Sequence, residues 1–314
     1  MMHLGRLRAL REVADRGTIA AAADAMHLTP SAVSQQLAAL EREVGERLLE
    51  PDGRSVRLTA VGRLLARRAD GILAEVERLR ADVDAHARGD AGEVRVGSFG
   101  TAMAALVAPV AGRLQREGGE VLIRAEEVEA EEGFQRLESH ELDLVISMEA
   151  PGAPGHDDPR VHRVDLLADR LDALLPTSHP LAGRRRIALG ELAADDWIVH
   201  PVGFTCEAVV LSGCRAAGFS PRALHRTANF DAMIALCGAG LGVALMPRLA
   251  HVAPRAEDGA VLVPLAGVAP ARHLFAACRR GAEGAPVLER VIAELRAQAS
   301  IEVRRELPVA EAAA

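Results

Sequence analysis

Residues 17–59 read GTIAAAADAMHLTPSAVSQQLAALEREVGERLLEPDGRSVRLT, a pattern that predicts two short amphipathic helices, a turn, a third helix and a basic hairpin. Thr18 can cap a helix whose small residues Ala20–Ala23 permit close approach of a neighbour, and Met26-His27-Leu28 reads as a compact turn. Thr29 is a natural N-cap for the next helix. Pro30 suits its first position, where an N–H would have no partner, and Val33, Leu37 and Leu40 fall on one apolar face. The opposite face, near the helix start, carries Ser31, Ser34, Gln35 and Gln36. Hydroxyl and amide groups placed there can meet base edges, and the free backbone amides of the first turn can meet a phosphate. A capped surface helix would look the same in isolation, so the flanking segments decide.

Gly45 closes that helix as a C-cap, Leu48 and Leu49 return to the core, and Asp52-Gly53 forms a tight-turn pair flanked by Arg54 and Arg57. A short basic hairpin of this kind can lie along a groove edge. Arg54 at its tip is placed for the minor groove, and Arg57 either contacts phosphate or only solvates the strand. The whole reads as a winged helix-turn-helix with Thr29, Pro30, Ser31, Ser34, Gln35, Gln36, Arg54 and Arg57 as DNA contacts. The run TPSAVSQQLAALEREVG, followed by a wing and LTAVG, resembles the DNA-binding domain of LysR-type transcriptional regulators. It departs from that pattern at Leu49 and Pro51, where the family more often has Phe and Arg. The resemblance implies a sequence-specific regulator of double-stranded operator DNA.

A chain of 314 residues with 49% hydrophobic content can build two or three domains. Its net charge of −7 is unpromising for a nucleic-acid binder until divided along the chain: residues 1–68 carry 11 Arg against 8 acidic residues, and residues 89–314 carry 23 against 31. The basic excess sits with the motif and is small, so affinity per subunit should be modest and should gain from binding as a pair. There is no Lys, which reflects coding composition rather than local chemistry. The start, MMHLGRLRALREV, is an amphipathic helix without the continuous apolar core of a secretory signal. The longest nearly apolar run, Met233–Pro247, is too short and Gly-rich to cross a bilayer. A cytoplasmic protein without a membrane partner is expected.

From Thr59 to about Arg88 there is no Pro, and Leu65, Ala69, Ile72, Val76, Leu79 and Val83 alternate at spacings of four and three. This is a heptad seam, predicting a linker helix that pairs two subunits. In the family this helix sets two DNA-reading heads apart, and homotetramers are common. The polar run around residues 86–93, HARGDAGE, reads as a hinge, placed at 89–91. Domain limits follow: a winged helix over 1–58, a linker helix over 59–88, an effector-binding domain over 92–300 and a frayed tail over 301–314.

Beyond the hinge, strands and helices alternate: Val94–Gly97, a helix to about Arg116, Val121–Ala125, Glu131–Ser139 and Leu142–Ser147. Repeated β-α-β units imply a parallel sheet covered by helices. A second, less regular series takes in Leu171–Leu175, Trp197–His200, Cys206–Ala217, Phe230–Gly238 and Val243–Met246, and the chain returns through Leu274–Ala277 to a helix near Pro286–Gln298. This resembles the two-lobed α/β effector domain of LysR-type regulators, of periplasmic-binding-protein type, with lobe one about 92–163 and 268–300 and lobe two about 164–267. The resemblance implies a small-molecule effector in the cleft. Ligands of such sheets bind beyond strand C-termini, at helix N-termini. The candidates are Ser98, Phe99, Gly100 and Thr101; Ser147 and Met148; and Gly203, Phe204 and Thr205. Glu127, beside Glu126, would add an acidic wall favouring an amine. Ser98, Thr101 and Thr205 would serve equally as helix caps.

Catalysis is not expected. There is no phosphate loop, nucleophile elbow or paired zinc motif, and GAGLG at 238–242 follows a helix instead of opening one. His156, Asp157 and Asp158 lie on a Pro/Gly-rich loop and read as solvated side chains, so no metal or cofactor is assigned. The alternative within the family is a thiol-based redox sensor using Cys206 and Cys214, with Cys206 at a helix N-terminus that would favour its thiolate. Peroxide-sensing members use two cysteines in this neighbourhood, and the spacing here is one residue short of their pattern.

Overall fold

The structure, a computed structural model, describes residues 3–52, 55–88, 91–118, 120–150, 153–250 and 254–311. Three helices, α1 (Leu4–Arg16), α2 (Ile19–Ala25) and α3 (Pro30–Val44), close the N-terminal unit. Residues 17–59 therefore hold two helices, not three. Met26–Leu28 is a turn with His27 in the left-handed region at φ 51°, and the third helix of the bundle precedes the stretch. The caps form at the expected positions. Thr18 Oγ1 accepts the Ala21 N–H at 3.1 Å, Thr29 Oγ1 accepts that of Ala32 at 3.2 Å, and Gly45 ends α3 at φ 78°. Leu7, Leu10, Val13, Val33, Leu37, Leu40 and Leu48 form the core beneath. The wing pairs β1 (Leu49–Asp52) with β2 (Ser55–Leu58).

Helix α4 (Ala60–Arg88) leaves the wing and runs 29 residues. Its first turns belong to the N-terminal core: Ala66 and Ala69 are buried there, with Val61 and Leu65 packed against them. Ala69 is thus consumed inside its own domain, which corrects its placement on the dimer seam. The stripe that a heptad count assigns to a partner is here partly taken by α1, which crosses the same face.

In lobe one, β3 (Gly92–Ser98) runs parallel to β4 (Val121–Glu127) and β5 (Leu144–Met148). Between β3 and β4 lie α5 (Gly100–Ala102), a π-helical segment at Met103–Val107 and α6 (Ala108–Arg116). The π segment precedes Pro109, which has no N–H for the Ala105 carbonyl four residues back; Gln298 Nε2 supplies that hydrogen bond at 3.2 Å. Helix α7 (Ala130–Glu138) joins β4 to β5.

The sheet is mixed, not wholly parallel. Strand β6 (Val161–Pro176) is 16 residues long, and β11 (Ala271–Arg279) pairs antiparallel with both β5 and β6. Residues 161–170 of β6 pair with β11, while Leu171–Leu174 pair with β9 (Ala244–Pro247). The chain therefore changes lobes within a continuous strand, after Arg170, later than the 163/164 break read from sequence. Lobe two is completed by β7 (Asp196–Val199), α8 (Thr205–Ala216), β8 (Arg222–Arg226), α9 (Phe230–Gly238) and β10 (Ala260–Val263). Helix α10 (Pro286–Glu311) ends the described chain. It does not fray at residue 300: Ala299 and Glu302 are buried, and Gln298 Nε2 also donates to Glu302 Oε1 at 2.9 Å. Among the described residues no helix is long and apolar enough to cross a membrane.

Candidate functional site

Two surfaces follow from this frame. On the first, Thr29, Pro30, Ser31, Ser34 and Gln35 are exposed at the start of α3, and Gln36 is half-buried. The opposite face is sealed by Val33, Leu37 and Leu40, so the polar row can only look outward. Ser34 Oγ donates to the Pro30 carbonyl at 2.8 Å, which leaves its lone pairs outward as acceptors. On the wing, Arg57 is exposed but held across the hairpin by Glu50 Oε1 at 2.9 Å. Arg54 lies outside the described residues. Along α4, Ile72, Leu79 and Val83 are exposed apolar side chains, with Leu64 beside them, which the seam reading omitted; Val76 is half-buried.

The second surface lies between the lobes. A cavity of about 990 Å³ is bounded by α7, the end of β5, the loop into α8 and, from the N-terminal unit, Asp15 and Arg16 at the end of α1, with Met148, Gly203, Phe204 and Thr205 on its walls. Ser98, Phe99, Gly100, Thr101, Glu127 and Ser147 are not among its lining residues. Ser98 and Ser147 are buried in the sheet, and the Ser98 hydroxyl donates to the Phe99 carbonyl at 3.2 Å. Glu127 lies over Gly100, where an added Cβ would meet its carboxylate at 2.9 Å.

Phe99 and Thr101 are instead gathered by a buried ion pair that sequence reading missed. Arg272 on β11 and Asp169 on β6 are 2% and 0% exposed. Arg272 Nε donates to Asp169 Oδ2 at 2.9 Å, its Nη2 donates to Thr101 Oγ1 at 3.0 Å, and its guanidinium lies 5.2 Å from the Phe99 ring. Asp169 Oδ1 accepts the Leu249 N–H at 3.0 Å, so every charge is answered. No local sign marked the pair, because both strands carry other ionisable residues that face solvent.

At the mouth of α8 the lobes touch. Burial pushes the Glu129 carboxyl, on lobe one, above the ordinary range, outweighing the pull of the nearby Thr205 backbone N–H. A carboxylate of the protein itself thus occupies the helix N-terminus that sequence reading reserved for an effector. Glu207 is buried beside it and paired with Arg226 Nη1 at 2.5 Å, which also donates to the His200 carbonyl at 2.9 Å. His200 is held neutral, its pKa lowered to about 4 by burial and by the charge of Arg272.

The cysteines do not behave as their positions suggested. Cys206 is buried, and desolvation raises its thiol above the ordinary value even with Arg272 in hydrogen-bond contact. Cys214 is pushed up to about 11 by burial alone. Helix-terminal stabilisation of a thiolate is outweighed by loss of water, so both are thiols at neutral pH. Among the described residues no group of His, Cys, Asp and Glu is arranged to hold a metal ion.

Residues 4–63 match the family described as "Bacterial regulatory helix-turn-helix protein, lysR family", and residues 87–300 match "LysR substrate binding domain". The chain is 31% identical over 309 residues to a probable hydrogen peroxide-inducible genes activator of Streptomyces viridosporus, covering 98% of this chain and 96% of that one. It is 28% identical over 257 residues to the transcriptional dual regulator GltC of Bacillus subtilis (strain 168), covering 81% and 84%. Among solved structures it is similar to a cysteine mutant of OxyR from Corynebacterium glutamicum, with a TM-score of 0.61, 22% identity and coverage of 96% and 94%. It is also similar to full-length CbnR complexed with its target DNA, at a TM-score of 0.56, 23% identity and coverage of 95% and 100%. At such identities the structural likeness speaks for the fold.

Proposed function

The chain belongs to the LysR family of bacterial transcriptional regulators, and on that premise we propose that two copies read one operator through α3, under control of a small molecule held between the lobes. The observation that carries the DNA reading is the exposed row Thr29, Pro30, Ser31, Ser34 and Gln35 on a helix whose other face is fully packed. Side chains on a rigid, capped helix lose little freedom on docking into a major groove. Gln35→Ala is expected to cost about 1–3 kcal/mol of discrimination between operator and unrelated DNA while leaving the fold intact. Footprinting checks it: full retention of sequence-specific protection would put the reading helix elsewhere.

For pairing, the exposed Ile72, Leu79 and Val83 support α4 as the seam between copies, starting beyond Ala69. Leu79→Arg is expected to shift sedimentation equilibrium towards monomer and to weaken operator binding through loss of the second head. An unchanged dimer would move the interface off this helix. Association of dimers into tetramers through the effector domains belongs to the same proposal, as does residence in the cytoplasm beside the DNA.

The cleft suits a ligand better than a thiol switch. Its volume is that of a small-molecule site, and Met148, Phe134 and Phe204 give it apolar walls beside Glu129 and Glu207. Several relatives are named as hydrogen peroxide-inducible genes activators, but Cys206 and Cys214 are eight residues apart on one helix, about 12 Å at 1.5 Å per residue. That exceeds disulfide reach unless α8 unwinds, and neither thiol is a resting thiolate. A ligand bridging the lobes at the Glu129–Thr205 contact would reset their spacing and so the separation of paired winged helices. By linkage, operator DNA must then change ligand affinity reciprocally. The family is one of regulators, not enzymes.

A further inference from the structure

Beside the cleft, and sharing Glu138, Arg160 and Val161 with its wall, α1, α4 and lobe one enclose a second cavity of about 190 Å³. Its walls carry the guanidinium groups of Arg8, Arg11, Arg80, Arg160, Arg279 and Arg280 against three carboxylates, Asp70, Glu77 and Glu138. Four of the arginines are answered: Arg11 by Glu12, Arg80 by Glu77 at 3.0 Å, Arg160 by Asp158 at 2.8 Å and Asp15 at 3.1 Å, and Arg279 by Glu77 at 3.0 Å and Asp143 at 3.4 Å. Two are not. Arg8 Nη2 reaches the Glu138 carbonyl, and Arg280 Nη2 reaches the carbonyls of Asp158 and Val161 at 2.7 and 2.6 Å. A carbonyl accepts the hydrogen bond but does not cancel the charge, and among the described residues neither arginine pairs with a carboxylate.

Unmet donors and crowding mark the same walls. The Nε atoms of Arg11 and Arg280 are buried without a hydrogen-bond partner. Burial lowers the pKa of Arg8, and Arg11 and Arg279 lower it further against the opposing pull of Glu12 and Glu138. His140, in the left-handed region at φ 64°, is held to about 4 by burial and by Arg279, Arg8 and Arg80 against the pull of Glu77. A pocket that keeps an imidazole neutral and packs like charges together is stabilised by an anion.

We propose that this cavity is a second ligand site, taking a small dianion of the phosphate or short dicarboxylate kind between the DNA-binding unit and the effector domain. At about 30 Å³ per water, the space equals roughly six waters, enough for an oxyanion or a four-carbon diacid and too little for a nucleotide. Because α1 and α4 form one side and lobe one the other, the ligand binds only the docked arrangement and stabilises it. This conclusion stands on the cavity and its charges and does not depend on the cleft reading.

Calorimetry and thermal shift on the full chain, with sodium phosphate and with sodium succinate against sodium chloride at equal ionic strength, test it. Saturable one-to-one binding of at least one dianion is expected. Arg8→Gln and Arg280→Gln should each weaken it about tenfold or more, the loss of one charged hydrogen bond. Arg80→Gln at the solvent-facing mouth should weaken it without risk to folding, and Arg124→Gln on β4 should not affect it. Binding by phosphate alone identifies a phospho-oxyanion, and binding by both a general dianion site. A rise in melting temperature that never saturates, no binding heat, or equal affinity in the variants that fold would overturn the proposal, since phosphate also stabilises proteins by exclusion from their surface.

Discussion

Asp169→Ala is expected to destabilise the effector domain by about 3–5 kcal/mol, because it strands the Arg272 charge at a position without water. The pair carries no solvent-facing side: Asp169 also receives the Leu249 N–H, and Arg272 also holds Thr101. Removing the carboxylate therefore leaves a cation, two donors and a backbone amide unanswered at once. The chain has a single tryptophan, Trp197, fully buried in lobe two, whose fluorescence reports unfolding of this domain in urea. The double variant Asp169→Ala/Arg272→Met should recover most of the loss, since an apolar replacement removes the uncompensated charge. A single variant within about 1 kcal/mol of the parent would mean that water reaches the site and that the pair does not hold the lobes' shared strands together.

Gly62→Ala should destabilise the winged helix by about 1–3 kcal/mol and reduce operator binding with it. An added Cβ would lie 2.2 Å from the Leu48 carbonyl oxygen and 3.1 Å from its carbon, and this is backbone that already accepts the Thr59 N–H at 2.9 Å. Something must move, and the nearest movable element is the wing that follows Leu48. Gly71→Ala, nine residues further along the same helix, is the control: nothing lies within 4 Å, so it should stabilise by about 0.5–1 kcal/mol through the usual helical advantage of alanine. Circular-dichroism melts of the two variants should move in opposite directions. Parallel shifts would show that helix propensity, not the approach to Leu48, governs position 62.

The DNA-reading unit was legible because its signals are local. Thr18, Thr29 and Gly45 act through hydrogen bonds three or four residues away, Pro30 through its fixed backbone angle, and they start or end the helices where the chain places them. The apolar spacing of Val33, Leu37 and Leu40 likewise names its own buried face. The miscounted helix in residues 17–59 shows the limit of that locality, since whether seven alanine-rich residues form one helix or two depends on α1 packing against them. The heptad on α4 was visible as a period, but the period does not say which partner it meets. Ala69 meets α1 of its own chain, while Ile72, Leu79 and Val83 face out.

The cleft was legible in outline only. Strand β6 was read as five residues, Leu171–Leu175, because Asp165, Asp169 and Arg170 break its apolar alternation. Asp165 and Arg170 face solvent, and the buried Asp169 is stable in the strand only because Arg272, about a hundred residues later in sequence, lies alongside. Cys206 was assigned a reactive thiol from its place at a helix start, a rule that assumes water; the lobes remove the water. The α8 N-terminus was reserved for an effector carboxylate, and the protein's own Glu129 fills it.

By itself the amino-acid sequence determined that this chain folds as a winged helix-turn-helix, a long helix and a two-lobed α/β domain, because caps, turns and apolar periods are set by neighbours within a few residues. Only the tertiary structure decided which face of α4 is left free, which charges are buried in pairs, which thiols are held protonated and which two arginines, Arg8 and Arg280, meet carbonyls instead of carboxylates. Those properties depend on which distant groups share a dry space, and solvent exclusion is a property of the folded assembly of side chains rather than of any segment.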